Sequence, residues 1–229
     1  MHCCTFLISG FKFWLSRCRY LGDGRFHLES IMIANPTVPA FRYDPYSKKL
    51  TRERYNHFEM RRSRDQAIQT ARESIGSLPP SLDPSDLDPT TKLSGPMQHS
   101  QPWGVILGTL GRQGSFKQLQ AITNQLSMFR VSIPFVPILL SEVSPAKLSL
   151  FNPHISTFVQ TSCPRLSIDW GYAFARPLLS PYETNIALGR ANGWMDEATE
   201  SGETKKTAYA MDFYEAGTPW AVSRLKGSF

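Results

Sequence analysis

Ile155-Ser156-Thr157-Phe158-Val159-Gln160-Thr161-Ser162-Cys163-Pro164-Arg165 is the stretch whose reading decides the fold of this chain. The apolar run from Ile155 to Val159 is bounded by turn signals and reads as a buried strand. Pro164 fixes φ and withholds an N–H, so the chain must turn where that strand ends. Cys163 therefore stands at a carboxyl strand end, and in open α/β sheets ligands collect outside those ends. A thiol there can ligate a metal or cluster, act as a nucleophile, or pack as a small hydrophobe. Position by itself does not choose among the three.

Two similar units precede this one. Residues 103–110 read as a strand, followed by the turn Gly111-Arg112-Gln113-Gly114 and a helix over 115–129. Residues 135–140 form a second strand, with Ser141-Glu142 at its end and a short helix at 146–150. Strands alternating with helices predict an α/β fold: a Rossmann-like parallel sheet, helices on both faces, right-handed crossovers. The Gly111, Ser141-Glu142 and Cys163 loops then open onto one edge.

The glycines of the first loop have an even three-residue spacing, Gly108, Gly111 and Gly114, which is neither a Walker A motif nor a dinucleotide fingerprint. A glycine turn opening a helix still exposes backbone N–H groups that favour an anion such as a carboxylate. Arg112 adds a bidentate clamp to such a site. The alternative is a plain strand-to-helix turn.

The amino-terminal half continues the α/β pattern. Arg19 to Gly24 resembles a strand end running into a glycine turn, and 26–34 a helix with Leu28, Ile31 and Met32 at helical spacing. Asn35-Pro36 stops that helix. Residues 38–43 read as the next strand, closed by Asp44-Pro45. Thr51 is the expected N-cap, with Glu53 in the first turn, of a long helix reaching about Ile75. Six arginines, Arg52, Arg54, Arg61, Arg62, Arg64 and Arg72, fall on it: a nucleic-acid surface or a solvated helix face. Residues 77–102, rich in Pro, Ser and Asp, form a flexible insertion. The expected divisions are a non-matching segment 1–19, a partial α/β domain 20–76, the insertion, an α/β domain 103–190 and a tail 191–229.

Composition bounds the function. The chain has 229 residues, 41% of them hydrophobic, enough for a packed core. A net charge of +6 and a pI near 9.2 suit an acidic partner without choosing one. Four cysteines, Cys3, Cys4, Cys18 and Cys163, make no disulfide framework, and a reducing, cytoplasmic setting is expected. Residues 1–15 are apolar and aromatic but lack a basic n-region and a cleavage site, and Lys12 interrupts them. They are too short to span a bilayer. They read as foreign sequence joined to a body that begins near Tyr20.

Several ordered segments, taken together, carry a resemblance. They are Tyr20-Leu21-Gly22-Asp23-Gly24-Arg25-Phe26-His27-Leu28-Glu29-Ser30, Tyr43-Asp44-Pro45-Tyr46-Ser47-Lys48, and Leu107-Gly108-Thr109-Leu110-Gly111-Arg112-Gln113-Gly114. Leu140-Ser141-Glu142, the Cys163 segment through Gly171, Pro177-Leu178-Leu179-Ser180-Pro181-Tyr182-Glu183 and Met211-Asp212-Phe213-Tyr214 follow. This series resembles the diphthamide synthase family over Tyr20 to about Trp220, apart from 77–102 and 191–207.

The resemblance implies a three-domain pseudo-repeat of which this chain holds a remnant. It implies a [4Fe–4S] cluster held by one cysteine from each domain, with one iron open for S-adenosylmethionine. Reductive cleavage yields a 3-amino-3-carboxypropyl radical that adds to a histidine of elongation factor 2, the first step of diphthamide synthesis. Thiolates suit such a cluster, and the protein supplies position and electrostatics. Cys163 corresponds to the cysteine of the third domain and is the expected metal ligand. Arg112, Gln113 and Arg165 are the expected contacts for S-adenosylmethionine, holding its carboxylate. For Arg165 the alternative is an ion pair with Glu142 or Asp169.

The implied enzyme is a transferase. Its implied partners are a homologous second synthase subunit, an electron-donor protein and elongation factor 2 as substrate, without membrane or direct nucleic-acid contact. The sequence also departs from the family. Nothing here matches the first domain and its cysteine. The second cysteine's Gly-Cys-Thr-Ser-Pro-like segment is not matched around Cys4-Thr5, and no ligand role passes to Cys3, Cys4 or Cys18. The chain alone is therefore expected to be inactive, and a truncated, non-catalytic homologue that retains only docking is the alternative.

Overall fold

The computed structural model describes residues 17–76, 101–110, 114–194, 197–198, 204–205 and 209–229. The chain divides into two compact units, residues 1–64 with 192–222 and residues 65–191 with 223–229. That division falls inside a long helix, at Arg64, and the insertion expected over 77–102 lies, apart from its last two residues, outside the described residues.

In the first unit, β1 (Cys18–Leu21) pairs in parallel with β2 (Ala40–Asp44), in register Cys18↔Ala40. Cys18 and Arg19 thus belong to the folded body, which begins ahead of Tyr20. Helix α1 (Phe26–Ala34) connects them and ends at Asn35, as its spacing predicts. Leu28, Met32 and Ala40 form the core here, with Cys18, Tyr20 and Tyr55 packed against it.

The stretch from Thr51 corrects the sequence expectation. Lys49–Glu53 is a strand, β3, antiparallel to β2, and Thr51 pairs with Arg42. Asp44 turns the hairpin by accepting from the Tyr46 N–H at 2.9 Å and the Ser47 hydroxyl at 2.9 Å, and Lys48 takes a left-handed φ of 53°. Helix α2 (His57–Gly76) starts only after Asn56, whose Oδ1 accepts from the Glu59 N–H at 3.1 Å while its Nδ2 donates to Glu59 at 2.7 Å. Asn56 does the capping assigned to Thr51, because pairing with β2 outweighs the local propensity of Thr51-Arg52-Glu53.

The arginines do not form one face. Arg52 is on β3 and Arg54 follows it. Met60, Arg64, Ile68 and Ala71 are the buried stripe of α2, and Arg64 is only 1% exposed. A guanidinium in that stripe is neither a solvated face nor a nucleic-acid contact.

The second unit carries the α/β sheet expected from the repeats. Strands β4 (Trp103–Gly108), β5 (Phe135–Leu140), β6 (Thr157–Gln160) and β7 (Leu178–Leu179) are all parallel, in the order β5-β4-β6-β7. Helices α3 (Phe116–Ser127), α4 (Pro145–Ser149), α5 (Arg165–Trp170) and α6 (Pro181–Ala187) follow them in turn. Ser115 caps α3, its hydroxyl accepting from the Gln118 N–H at 3.3 Å. Ile106, Ile138, Leu148, Ile155, Phe158 and Leu178 fill one side of this sheet. Every residue of β6 is buried, the signature of a strand covered on both faces.

The motif around Ser180-Pro181-Tyr182-Glu183 also acquires a reason. Ser180 and Glu183 form a capping box on α6: the Glu183 carboxylate accepts from the Ser180 N–H at 2.8 Å and the Ser180 hydroxyl from the Glu183 N–H at 3.3 Å, all of it buried. The carboxyl-terminal stretch holds the short strands β8 (Glu197–Ala198) and β9 (Thr204–Lys205) and helix α7 (Pro219–Lys226), an ordered element in what reads as a tail. No helix among the described residues is long and apolar enough to cross a membrane.

Candidate functional site

The chain order of the parallel sheet locates the site. From β4 the connection runs outward to β5, then back across β4 to β6 and on to β7. The loops leaving β4 and β6 therefore diverge from neighbouring strands at the carboxyl edge, the switch point where open α/β sheets bind ligands. The Cys163 loop leaves β6 there.

Close contacts hold these two strand ends together. Thr161 extends the pairing past β6, its N–H donating to the Ile106 carbonyl at 3.0 Å and its hydroxyl to the same oxygen at 3.1 Å. The next residue, Ser162, lies so close to Gly108 that a β-carbon at 108 would overlap its hydroxyl. Gly114 is pressed just as tightly on the Gly108 carbonyl. These two glycines exist for close backbone approach, which accounts for their place in the motif without an anion.

Cys163 is 8% exposed, directly before Pro164, the N-cap residue of α5 with φ −60° and ψ −24°. Its carbonyl accepts from the Gln160 side-chain amide at 3.1 Å and from the Leu166 N–H at 3.0 Å. The same Gln160 amide donates to the Ser167 hydroxyl at 3.1 Å. Gln160 has no exposed surface and ties the strand end, the cysteine and the first turn of α5 together.

Arg165 heads α5 and is 3% exposed. Its Nε lies 2.8 and 2.9 Å from the two carboxylate oxygens of Asp169, so of the two ion-pair partners named by the sequence the structure selects Asp169. Glu142 pairs instead with Lys147 at 2.8 Å, and that hydrogen bond and charge hold its carboxyl below the usual range. Arg112 and Gln113 lie outside the described residues. Cys163 and Arg165 are thus neighbours on one loop-to-helix segment.

Two contributors were not read from the sequence. Gln160 carried a signal, since it is the one amide in β6 and ends a run with Phe158 and Val159. Arg224 carried none. Its guanidinium donates to Gln118 at 3.3 Å and to the Thr161 carbonyl at 3.5 Å, two residues before the cysteine. The Ser115 hydroxyl donates to the Arg224 carbonyl at 3.2 Å and Lys117 to the Leu225 carbonyl at 2.7 Å, so the chain from Ser223 onward is anchored on the first turn of α3.

Among the described residues, no three or more Cys, His, Asp or Glu side chains gather in a metal-sized group. The chemistry of Cys163 fits one thiolate ligand of an iron–sulfur cluster. The described residues do not make a complete ligand set, because such clusters take several thiolates.

Comparison with known proteins gives a consistent result. The sequence model for diphthamide synthesis proteins matches residues 14–76 and 96–199, beginning ahead of Tyr20 and extending beyond Ala191. The 2-(3-amino-3-carboxypropyl)histidine synthase subunit 1 of Homo sapiens is 47% identical over 206 residues, covering 89% of this chain and 38% of the relative. That of Gibberella zeae is 48% identical over 195 residues, covering 85% of this chain and 34% of the relative. The chain therefore spans little more than a third of these relatives' length. The crystal structure of Dph2 from Pyrococcus horikoshii with a 4Fe-4S cluster superposes with a TM-score of 0.55 at 20% identity, over 86% of this chain and 47% of that one. At that identity the likeness speaks for the fold. With the matched segments covering most of its length, the chain belongs to the diphthamide synthesis protein family.

Proposed function

We propose that this chain acts in the first step of diphthamide synthesis, as part of a transferase that moves the 3-amino-3-carboxypropyl group of S-adenosylmethionine to a histidine of elongation factor 2. Its contribution is the Cys163 arm of a [4Fe–4S] site. The observation that carries this reading is the place of Cys163: the lone thiol of the second unit's described residues sits at the sheet's switch point, on a loop fixed by Gln160. The relatives' printed names supply the reaction class.

When bound, such a cluster supplies the electron that opens a sulfur–carbon bond of S-adenosylmethionine. The chain's own residues do the rest of what is proposed here. Gln160 and Thr161 hold the cysteine backbone, Gly108 lets the two loops meet, and Gly114 lets the first loop fold back on its own strand end. Arg112, Gln113 and Arg165 remain the proposed groups for the substrate carboxylate; Arg165 must then share its charge with Asp169. The other cluster ligands come from outside the described residues. A homologous second subunit, an electron-donor protein and a cytoplasmic setting complete the proposal.

The test is anaerobic reconstitution with iron and sulfide, alone and with the second subunit. Charge-transfer absorption and an aminocarboxypropyl product, both lost in Cys163→Ala, are expected. Stable co-purification with the second subunit without iron or product would replace this reading with a docking-only role.

A further inference from the structure

The second unit has a concavity at the opposite edge of its sheet from Cys163. Three helices end around it: α2 at Gly76, α3 at Ser127 and α6 at Ala187. The indole N–H of Trp103, the first residue of β4, donates to the Ser74 hydroxyl at 3.1 Å and so ties the end of α2 to the amino end of that strand. The space is about 850 Å³, within the range of ligand-binding clefts. Arg72, Arg130 and Arg190 line it together with Met128, Phe129 and Leu188, and no carboxylate among the described residues does.

One of the arginines is accounted for by the fold. Arg72 donates to the Ile186 carbonyl at 2.7 Å, satisfying the last turn of α6 as cations do at helix carboxyl ends. Arg130 lies over the Phe129 ring at 5.6 Å, and Arg190 is held through its backbone N–H by the Asn185 carbonyl at 2.8 Å. Neither has an acidic partner among the described residues. Met128, 79% exposed, lies beside them.

We propose that this cavity docks an acidic segment of a protein partner. Arg130 and Arg190 take its carboxylates, and Met128, Phe129 and Leu188 receive an apolar side chain between them. Helix carboxyl ends present carbonyls, which disfavour any anion and lack the cluster of free N–H groups that holds a compact phosphate at helix amino ends, so the guanidinium groups must carry the attraction. Carboxylates spaced along a peptide instead meet separate guanidinium forks, each matched to one bidentate pair. The proposal stands apart from the cluster reading, because no residue of this cavity belongs to the Cys163 loop.

The test uses the full chain and a fluorescein-labelled peptide of alternating Glu and Leu, followed by anisotropy at low ionic strength. The double variant Arg130→Glu/Arg190→Glu changes exposed side chains, so its thermal unfolding should match the parent. Its affinity should drop about tenfold or more, while Lys147→Glu on the other edge of the sheet leaves binding unchanged. No binding by the parent chain, or equal binding by parent and double variant, would overturn the proposal. Stronger competition by inorganic phosphate than by acetate at matched ionic strength would overturn it too, in favour of a phosphate site.

Discussion

The side-chain amide of Gln160 donates to the Cys163 carbonyl at 3.1 Å from a position with no exposed surface. A strand's last side chain thereby fixes the backbone of the residue three positions on, and with it the place where the thiol stands. The second bond of the same amide, to the Ser167 hydroxyl, extends that control to α5.

Gln160→Leu leaves a buried carbonyl with one fewer donor and a buried hydroxyl without its amide partner. The expected loss is about 1–3 kcal/mol of unfolding free energy, measured by urea titration. Iodoacetamide should also alkylate Cys163 faster under native conditions. Wild-type values for both would remove Gln160 from this role.

Gly108 and Ser162 are expected to be coupled. Gly108→Ala places a methyl on the Ser162 hydroxyl, an overpacking that costs about 1–3 kcal/mol. Ser162→Gly in that background should restore part of the loss, while in the parent chain it brings no gain. A double-mutant cycle with no interaction energy would contradict the contact.

The Ser180–Glu183 box should matter more than a surface cap, because it is buried. Ser180→Ala removes one side of it, at about 1–2 kcal/mol. Glu183→Gln, which keeps the shape, should cost less. Equal losses for the two would mean that the carboxylate charge carries the motif.

Glu53 gives the first unit an acid limb. Its carboxyl is held below its ordinary value first by the Thr51 hydroxyl at 2.6 Å, then by Arg42 and the charge of Arg25, against the desolvation that raises it. A carboxylate with a depressed folded pKa binds fewer protons folded than unfolded, so its stabilisation is complete above the ordinary value of 4.5 and is lost as pH falls through the folded value. Glu53→Gln should therefore be less stable than the parent at neutral pH and lose less on acidification. Parallel stability curves for the two from neutral pH to below that value would refute the assignment.

Much of the second unit was legible in the sequence because it is built from short apolar runs closed by glycine, proline and serine. Residues 135–140 and the Cys163 turn read correctly for that reason, and so did α1 with its Asn35 stop. The errors arose where one local signal fits two structures. Thr51-Arg52-Glu53 suits a helix start as well as it suits a strand, and only the Asp44 hairpin settles it. Arg64 looked like its exposed neighbours because charge does not report which side of a helix is covered. Arg224 lies more than sixty residues from the loop it touches, beyond the reach of any local pattern.

The sequence by itself determined the family, the α/β class and the place of Cys163 at a strand end, since these depend on ordered motifs, hydrophobic periodicity and a proline after a strand. The tertiary structure alone decided that β6 lies beside β4 with β5 on the other flank. That order makes the Cys163 loop and the loop after Gly108 neighbours across the switch point. It could not be read from periodicity, because strand order is set by which buried faces and crossovers pack together, and the sequence lists its strands without saying which are adjacent.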